Sequence, residues 1–197
     1  MTERIAFSIV EQLLKEQLID EEQSMYCAYA IILIIEHFIT VGTVLILSLV
    51  FGVFFPTVLF LAFFLTLRNH TGGFHCDTFM KCYVLTVVVY ILIVMMVPVF
   101  MQYSIVPVIF FSVAVIVIIC MGTINHPNMS LACYELIKLR KRARVIIVLE
   151  VCAVYLSCLY NVDIIYIGYM ELSVILCALL MCIAKIKKQE VNDDEDY

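Results

Sequence analysis

The chain of 197 residues is too hydrophobic to be a soluble globular domain. Hydrophobic residues make up 64% of it, charged residues only 15%, and the mean hydropathy is +1.08, with a formal net charge of −5. A soluble domain covers its surface with polar groups, which this composition cannot supply. We therefore predict an integral membrane protein. No Gly/Ser-rich linker or internal repeat divides it, so a single domain is predicted over residues 1–197.

The first 23 residues are predicted to form an interfacial amphipathic helix. Ile5, Ile9, Leu13 and Leu14 fall near one face at helical spacing, and the charged residues fall elsewhere. A helix of this kind lies in the plane of the membrane surface instead of crossing the membrane.

Three long apolar runs follow, each about twice the length of one membrane span. They comprise residues 26–67, 83–121 and 145–184. About 40 helical residues reach roughly 60 Å, whereas the hydrocarbon core is about 30 Å thick, so each run must fold back on itself. A stretch typical of a bend lies near the middle of each run, at residues 51–56, 101–107 and 160–163. We predict an all-α fold with six transmembrane helices arranged as three hairpins.

The lysine and arginine residues predict how these spans are oriented. With six spans, all 12 of these residues lie in the N-terminal segment, the two long connectors and the C-terminal segment, and the three bends have none. Basic residues near span ends stay on the cytoplasmic side, so both termini and both connectors are predicted to be cytosolic. The basic run 138–144 is interpreted as a topology anchor attracted to anionic lipid, not as a nucleic-acid site, and residues 186–197 as an acidic tail.

The segment RNHTGGFHCDTFMKC, residues 68–82, concentrates reactive side chains between two apolar runs. His75 and Cys82 are seven residues apart, a spacing that places two side chains on one face of a helix. A histidine that accepts the thiol proton makes a cysteine a thiolate nucleophile, which attacks amide carbonyls. The spacing alone does not distinguish catalysis from packing at the membrane edge.

Other polar residues suggest two alternatives. His70, His75, Cys76 and Cys82, with Asp77, contain the atoms of a zinc site, but most of them are not paired two to four residues apart as zinc ligands usually are. We therefore predict no metal and no other cofactor.

The second alternative concerns function. Carboxyl groups are costly inside a membrane and commonly functional there, and three glutamates lie within the predicted spans, namely Glu36, Glu150 and Glu171. They favour a small membrane transporter or channel as the alternative to an enzyme.

The 68–82 segment resembles the signature of the AgrB family, membrane-embedded cysteine endopeptidases that process precursors of cyclic autoinducer peptides in bacterial quorum sensing. Chain length, the multispanning layout and the NHPNMS step ahead of a basic stretch are also similar, so the resemblance covers most of residues 1–190. It implies that His75 is the catalytic histidine and Cys82 the nucleophile. Arg68, Gly72 and Gly73 match the supporting or substrate-binding positions.

The resemblance also implies a reaction and its partners. Cys82 cleaves the C-terminal part of a small AgrD-like propeptide through an acyl-enzyme thioester, and a cysteine or serine of the bound peptide then closes a thiolactone or lactone ring. The implied location is the bacterial cell membrane, with segment 68–82 on the cytosolic side of the lipid bilayer. Cys76 is an extra thiol that the family pattern does not require, and a homodimer is left open.

Overall fold

The computed structural model describes residues 2–74, 76, 78–103, 105–125 and 133–189, and within these ranges it contains helices and no strand. The seven helices described are α1 (Thr2–Lys15), α2 (Glu21–Val50), α3 (Phe54–Thr71), α4 (Phe79–Phe100), α5 (Val106–Met121), α6 (Cys133–Leu159) and α7 (Ile164–Ile186). The prediction of an all-α fold is confirmed.

The N-terminal helix is shorter than the predicted 1–23. Helix α1 ends at Lys15, and Gln17 follows with a positive φ of 56°, a conformation that does not continue a helix. Asp20 is the N-cap of α2, so the acidic residues that follow it begin the next helix. Helix α1 packs on α2 and leaves Ile5 and Ile9 exposed, which keeps an apolar surface available to the membrane interface.

Helix boundaries fall at all three predicted bends. Between α2 and α3, Gly52 has a φ of 70°, and between α6 and α7, Asn161 has a φ of 52°, so both turns use left-handed backbone. Asp163 caps α7 by accepting a hydrogen bond from the backbone N–H of Ile165 at 3.0 Å. The third break separates α4 from α5.

Three helices in the described ranges are long and apolar enough to cross a membrane: Gln23–Val50 within α2, and the whole of α4 and α7. Helix α5 is apolar but has 16 residues, α3 ends in the polar sequence RNHT, and α6 carries the basic run in its first half. The prediction of a membrane protein is supported, and the count of six spans stays a prediction.

Helix α7 lies at the centre of the bundle. Its most extensive contacts are with α3 and α5, so the closest neighbours are not the two halves of each predicted hairpin. Val174, Cys177 and Met181 of α7 are fully buried in the main hydrophobic cluster. The C-terminal half of α7 is therefore held against the C-terminal turns of α3, where the RNHT sequence begins the candidate site.

Candidate active site

Arg68 lies in the last turn of α3 and holds the backbone that follows the helix. Its Nη1 donates a hydrogen bond to the carbonyl oxygen of Gly72, and its Nη2 donates one to the carbonyl oxygen of Phe74 at 2.6 Å. The planar guanidinium has five donors and no acceptor, which matches a pair of carbonyls. The backbone N–H of Phe74 donates to the carbonyl oxygen of Leu180 on α7 at 3.0 Å. Residues 72–74, which we call the glycine turn, are thus fixed between α3 and α7.

Both glycines of this turn are required by its conformation and by its neighbours. Gly72 caps α3 with a φ of 64°, and a Cβ there would lie 2.7 Å from the carbonyl oxygen of Ile124. Gly73 has a φ of 130°, and a Cβ there would overlap with Nη1 of Arg68. Only glycine adopts these backbone angles without strain and leaves room for the two contacts.

The second long connector docks on the end of α3. Within its residues 122–125, the backbone N–H of Ile124 donates to the carbonyl oxygen of Thr71 at 2.9 Å, and Oγ1 of Thr123 donates to the carbonyl oxygen of His70 at 2.8 Å. These bonds satisfy carbonyls that the last turn of a helix leaves without an intrahelical partner. The two connectors that the charge pattern places on one side of the membrane therefore meet.

Cys82 lies in the first turns of α4, which begins at Phe79. The backbone N–H of Cys82 donates to the carbonyl oxygen of Thr78 at 3.2 Å, and its side chain is half-buried. Thr78, at the N-cap, has extended backbone, so the helix does not continue before it. Cys82 and Arg68 are close enough for their charges to interact.

The guanidinium of Arg68 is placed in a partly desolvated environment. Burial lowers the pKa of Arg68 from its ordinary value, while Cys177 and Cys82, when negatively charged, act in the opposite direction. An arginine nevertheless stays protonated at neutral pH. Arg68 therefore supplies a lasting positive charge beside the glycine turn and near the predicted nucleophile.

The AgrB family model, described as Accessory gene regulator B, matches residues 6–184, which include the whole 68–82 segment. The chain belongs to the AgrB family. This family is involved in processing autoinducer propeptides in quorum sensing. No curated protein and no solved structure matches the chain.

Two residues of segment 68–82, His75 and Asp77, lie outside the described residues, so the pairing of His75 with Cys82 stays a prediction. The prediction that these two side chains share one face of a helix is wrong. The described residues between Thr71 and Phe79 are not helical, because the glycine turn ends α3 and the extended N-cap begins α4 only afterwards. Helical periodicity therefore does not relate the two positions.

Of the five residues considered for a zinc site, some lie within the described ranges and some lie outside them. His75 and Asp77 are outside the described ranges, and within those ranges no three His, Cys, Asp or Glu side chains come together as a metal site. Nδ1 of His70 lies 2.8 Å from the carbonyl oxygen of Thr66, so this nitrogen is used within α3. A carbonyl only accepts hydrogen bonds, so Nδ1 carries the hydrogen and Nε2 keeps the ring's open lone pair.

The three intramembrane carboxyl residues lie on three different helices. Glu150 of α6 is buried, and its Oε1 accepts a hydrogen bond from Oγ1 of Thr66 on α3 at 3.1 Å. Glu171 of α7 is also buried, whereas Glu36 of α2 is half-buried. Helix α2, which carries Glu36, makes its main contacts with α1, α3 and α4 and not with the helices that carry the other two glutamates. For Glu150 the structure indicates a bond that ties α6 to α3.

Three partners of the site were not predicted from the sequence. They are the backbone carbonyl of Leu180, the backbone N–H of Ile124, and the thiol of Cys177, which donates to the carbonyl oxygen of Phe64 at 3.7 Å. The first two bonds use backbone atoms of apolar residues, so side-chain chemistry gives no signal for them. The NHPNMS step, which begins at Asn125 directly after Ile124, was the one pointer to this region.

Proposed function

We propose that the chain is a membrane-embedded cysteine endopeptidase that cleaves the C-terminal part of a small autoinducer propeptide and promotes its cyclisation. The observation that carries the proposal is the double hydrogen bond from Arg68 to the glycine turn. This turn lies directly before the family's catalytic histidine position, and the same arginine is near Cys82. Membership of the AgrB family supplies the class of substrate.

The first half of the proposed reaction is cleavage. His75 accepts the proton of the Cys82 thiol, and Sγ attacks the carbonyl carbon of the scissile peptide bond. The tetrahedral intermediate collapses as the C–N bond breaks, and the protonated histidine gives its proton to the leaving amine. The C-terminal part of the propeptide departs, and the remainder stays bound to Cys82 as a thioester.

The second half is ring closure. A thiol or hydroxyl of the bound peptide loses its proton to His75 and attacks the thioester carbonyl, which forms the thiolactone or lactone bond and releases Sγ of Cys82. Ring closure exchanges one thioester for another thioester or for an ester, so this step needs no further energy source. Holding the peptide's own nucleophile near the thioester makes this step intramolecular and therefore fast.

In this mechanism Arg68 is a positioning residue. Two of its donors are occupied by the carbonyls of Gly72 and Phe74, which fixes the backbone that leads to His75. Its positive charge also favours the negative charge that develops on Sγ of Cys82, since the two groups interact electrostatically. Arg68 thus acts on the two catalytic residues through the backbone it holds and through its charge.

We further propose six spans with both termini and the catalytic segment in the cytosol. The helix breaks at the three predicted bends support the count, and the distribution of all 12 basic residues supports the orientation. The hydrogen bonds between residues 122–125 and the end of α3 support placing both long connectors on one side. A propeptide with an amphipathic segment would reach the enzyme at that interface.

The test is cleavage of the cognate propeptide in membranes that contain equal amounts of each variant. We expect Cys82→Ala and His75→Ala to abolish cleavage and Cys76→Ala to keep most of it. Cys82→Ser should be nearly inactive, because a hydroxyl is a weaker nucleophile without a stronger base. Normal cleavage by Cys82→Ala together with loss of cleavage in Cys76→Ala would show that the assignment of the nucleophile is wrong.

A further inference from the structure

A depression of about 360 Å³ lies where the end of α3 meets the middle of α6. It is lined by His70, Lys141, Arg142, Val145 and Ile146. Two cationic side chains, an imidazole and two branched apolar side chains therefore surround one space. The catalytic mechanism proposed above uses none of these five residues.

The two cations in this depression differ from their neighbours in the basic run. Nε of Arg144 donates to the carbonyl oxygen of Ile119 at 3.3 Å, and the side chain of Arg140 packs over Gly122, so both of these arginines contact the end of α5. Lys141 and Arg142 are exposed, and no acidic residue in the described part of the chain forms a salt bridge with either. Their charges are available to an external anion.

The depression lies at the boundary between charged and apolar sequence. Lys141 and Arg142 belong to the basic run 138–144, and the next apolar run begins at Val145. Val145 is exposed and Ile146 is half-buried, so the apolar part of the wall continues onto the outer surface of α6. In a bilayer such a boundary is found where the lipid headgroups meet the hydrocarbon core.

His70 adds a polar group of a different kind. Its Nδ1 hydrogen is used by the carbonyl oxygen of Thr66, at 2.8 Å, so the neutral ring has Nε2 free to accept a hydrogen bond. A ligand that fits must therefore have an anionic group for the two cations, a hydroxyl donor for the imidazole, and an apolar portion for the two aliphatic side chains.

We propose that this depression binds one anionic glycerophospholipid with a hydroxyl-bearing headgroup. Its phosphate lies between Lys141 and Arg142, its headgroup hydroxyl donates to Nε2 of His70, and its first acyl carbons lie along Val145 and Ile146. An acidic peptide could supply the negative charge, but it would not explain an apolar wall that continues onto the outer surface of α6. The bound lipid lies beside the catalytic segment, because His70, which lines the depression, itself belongs to segment 68–82.

The experiment is native mass spectrometry of the full-length protein in detergent, titrated separately with phosphatidylglycerol and phosphatidylcholine. We expect one tightly retained phosphatidylglycerol on the unmodified protein and no comparable retention of phosphatidylcholine. Lys141→Gln combined with Arg142→Gln should weaken that binding by about 30-fold, since each basic residue near an anionic lipid contributes about fivefold. Purified protein is used so that altered membrane insertion cannot change the result.

Two matched variants make the result specific. Lys138→Gln removes one charge of the same run outside the depression and should leave the retained lipid in place. The exchange Lys141→Arg with Arg142→Lys keeps both charges and should restore binding lost in the glutamine variant. Unchanged binding in the double glutamine variant would overturn the proposal, as would an equal loss in Lys138→Gln.

Competition distinguishes the lipid from other anions. If inorganic phosphate or glycerol phosphate displaces phosphatidylglycerol at equal concentration, the site recognises a soluble phosphate and the lipid assignment is wrong. If a synthetic acidic peptide displaces it and phosphatidylcholine does not, the site is a peptide site and the proposal is again overturned. Retention of phosphatidylglycerol against inorganic phosphate, glycerol phosphate and the acidic peptide supports an anionic lipid.

Discussion

Replacing Gly73 by alanine is expected to abolish propeptide processing without preventing membrane insertion. The Cβ of the new side chain would overlap with Nη1 of Arg68, and the backbone at this position has a φ of 130°. Either the guanidinium or the glycine turn must therefore move. The residue lies in a connector, outside the apolar runs, so insertion should continue.

The size of the effect follows from the contacts that are lost. A hydrogen bond to a charged group contributes about 1.5–3 kcal/mol, and Arg68 makes two of them to the glycine turn. Forcing a non-glycine residue into this backbone region costs about 1–3 kcal/mol more. Losing one hydrogen bond and adding this strain costs about 3 kcal/mol or more. Because 1.4 kcal/mol corresponds to a factor of ten, the population with a native glycine turn should fall by about 100-fold or more.

The assay measures initial rates of propeptide cleavage at matched membrane abundance, with two other glycines as controls. Gly52 has a φ of 70° but no atom within 4 Å of a Cβ built there, so Gly52→Ala adds backbone strain without a clash. Gly42 lies within α2 and also has no atom within 4 Å of a Cβ built there, so Gly42→Ala adds neither backbone strain nor a clash. We expect Gly42→Ala to process normally and Gly52→Ala to lose thermal stability with little change in rate.

The double variant Gly73→Ala with Arg68→Ala shows whether the two residues act as a unit. If Gly73 matters partly because it leaves room for the guanidinium, the loss in the double variant should be smaller than the sum of the two single losses, because removing Arg68 removes the clash and leaves only the backbone strain. A normal rate for Gly73→Ala would refute the reasoning. Losses that add fully would also refute it, because they would show that the two residues contribute independently.

Three further predictions concern the rest of the molecule. Thr66→Val removes the hydrogen bond from α3 to the buried Glu150 carboxyl and should lower the free energy of unfolding by about 1–3 kcal/mol. The control Thr40→Val loses only a hydrogen bond within its own helix and should have a smaller effect. Thermal unfolding measures both. In intact cells, a membrane-impermeant thiol reagent should leave single-cysteine variants at Cys82 or Cys133 unlabelled until the membrane is opened, and earlier labelling would contradict the cytosolic orientation. Chelators should not reduce processing, and a loss that zinc restores would contradict the thiol mechanism.

The fold class was predictable because membrane insertion imposes strong regularities on a sequence. The lengths of the apolar runs and the bend residues located the helix breaks that the structure contains. Packing between helices was not predictable in this way. Van der Waals fit and interhelical hydrogen bonds decide which helices associate inside a membrane, and a uniformly apolar sequence does not specify the partners. The central position of α7 is an example, since no count of apolar residues distinguishes it from α4.

The sequence points to the candidate site as a set of residues, but it contains little information about the geometry. The reactive side chains of segment 68–82 stand out because they are rare in an apolar chain. The prediction that His75 and Cys82 share a helix face failed because it assumed a continuous helix between them, whereas α4 begins only at Phe79, after the extended N-cap Thr78. Gly72 and Gly73 end α3 just before His75. Because glycine adopts many backbone conformations, its presence in the sequence does not show the direction in which the chain continues.

The hydrogen bonds of Arg68 contribute both to stability and to the proposed catalysis, and this affects how the activity of Arg68 variants is interpreted. The end of α3 and the turn after it present carbonyl groups that would be costly to leave unpaired where little water is available. Arg68 satisfies those of Gly72 and Phe74, and by doing so it also fixes the backbone that leads to His75. A substitution at Arg68 therefore changes folding and positioning together. Only the rate per folded molecule separates the two, because a purely structural role would lower the amount of protein and leave that rate unchanged.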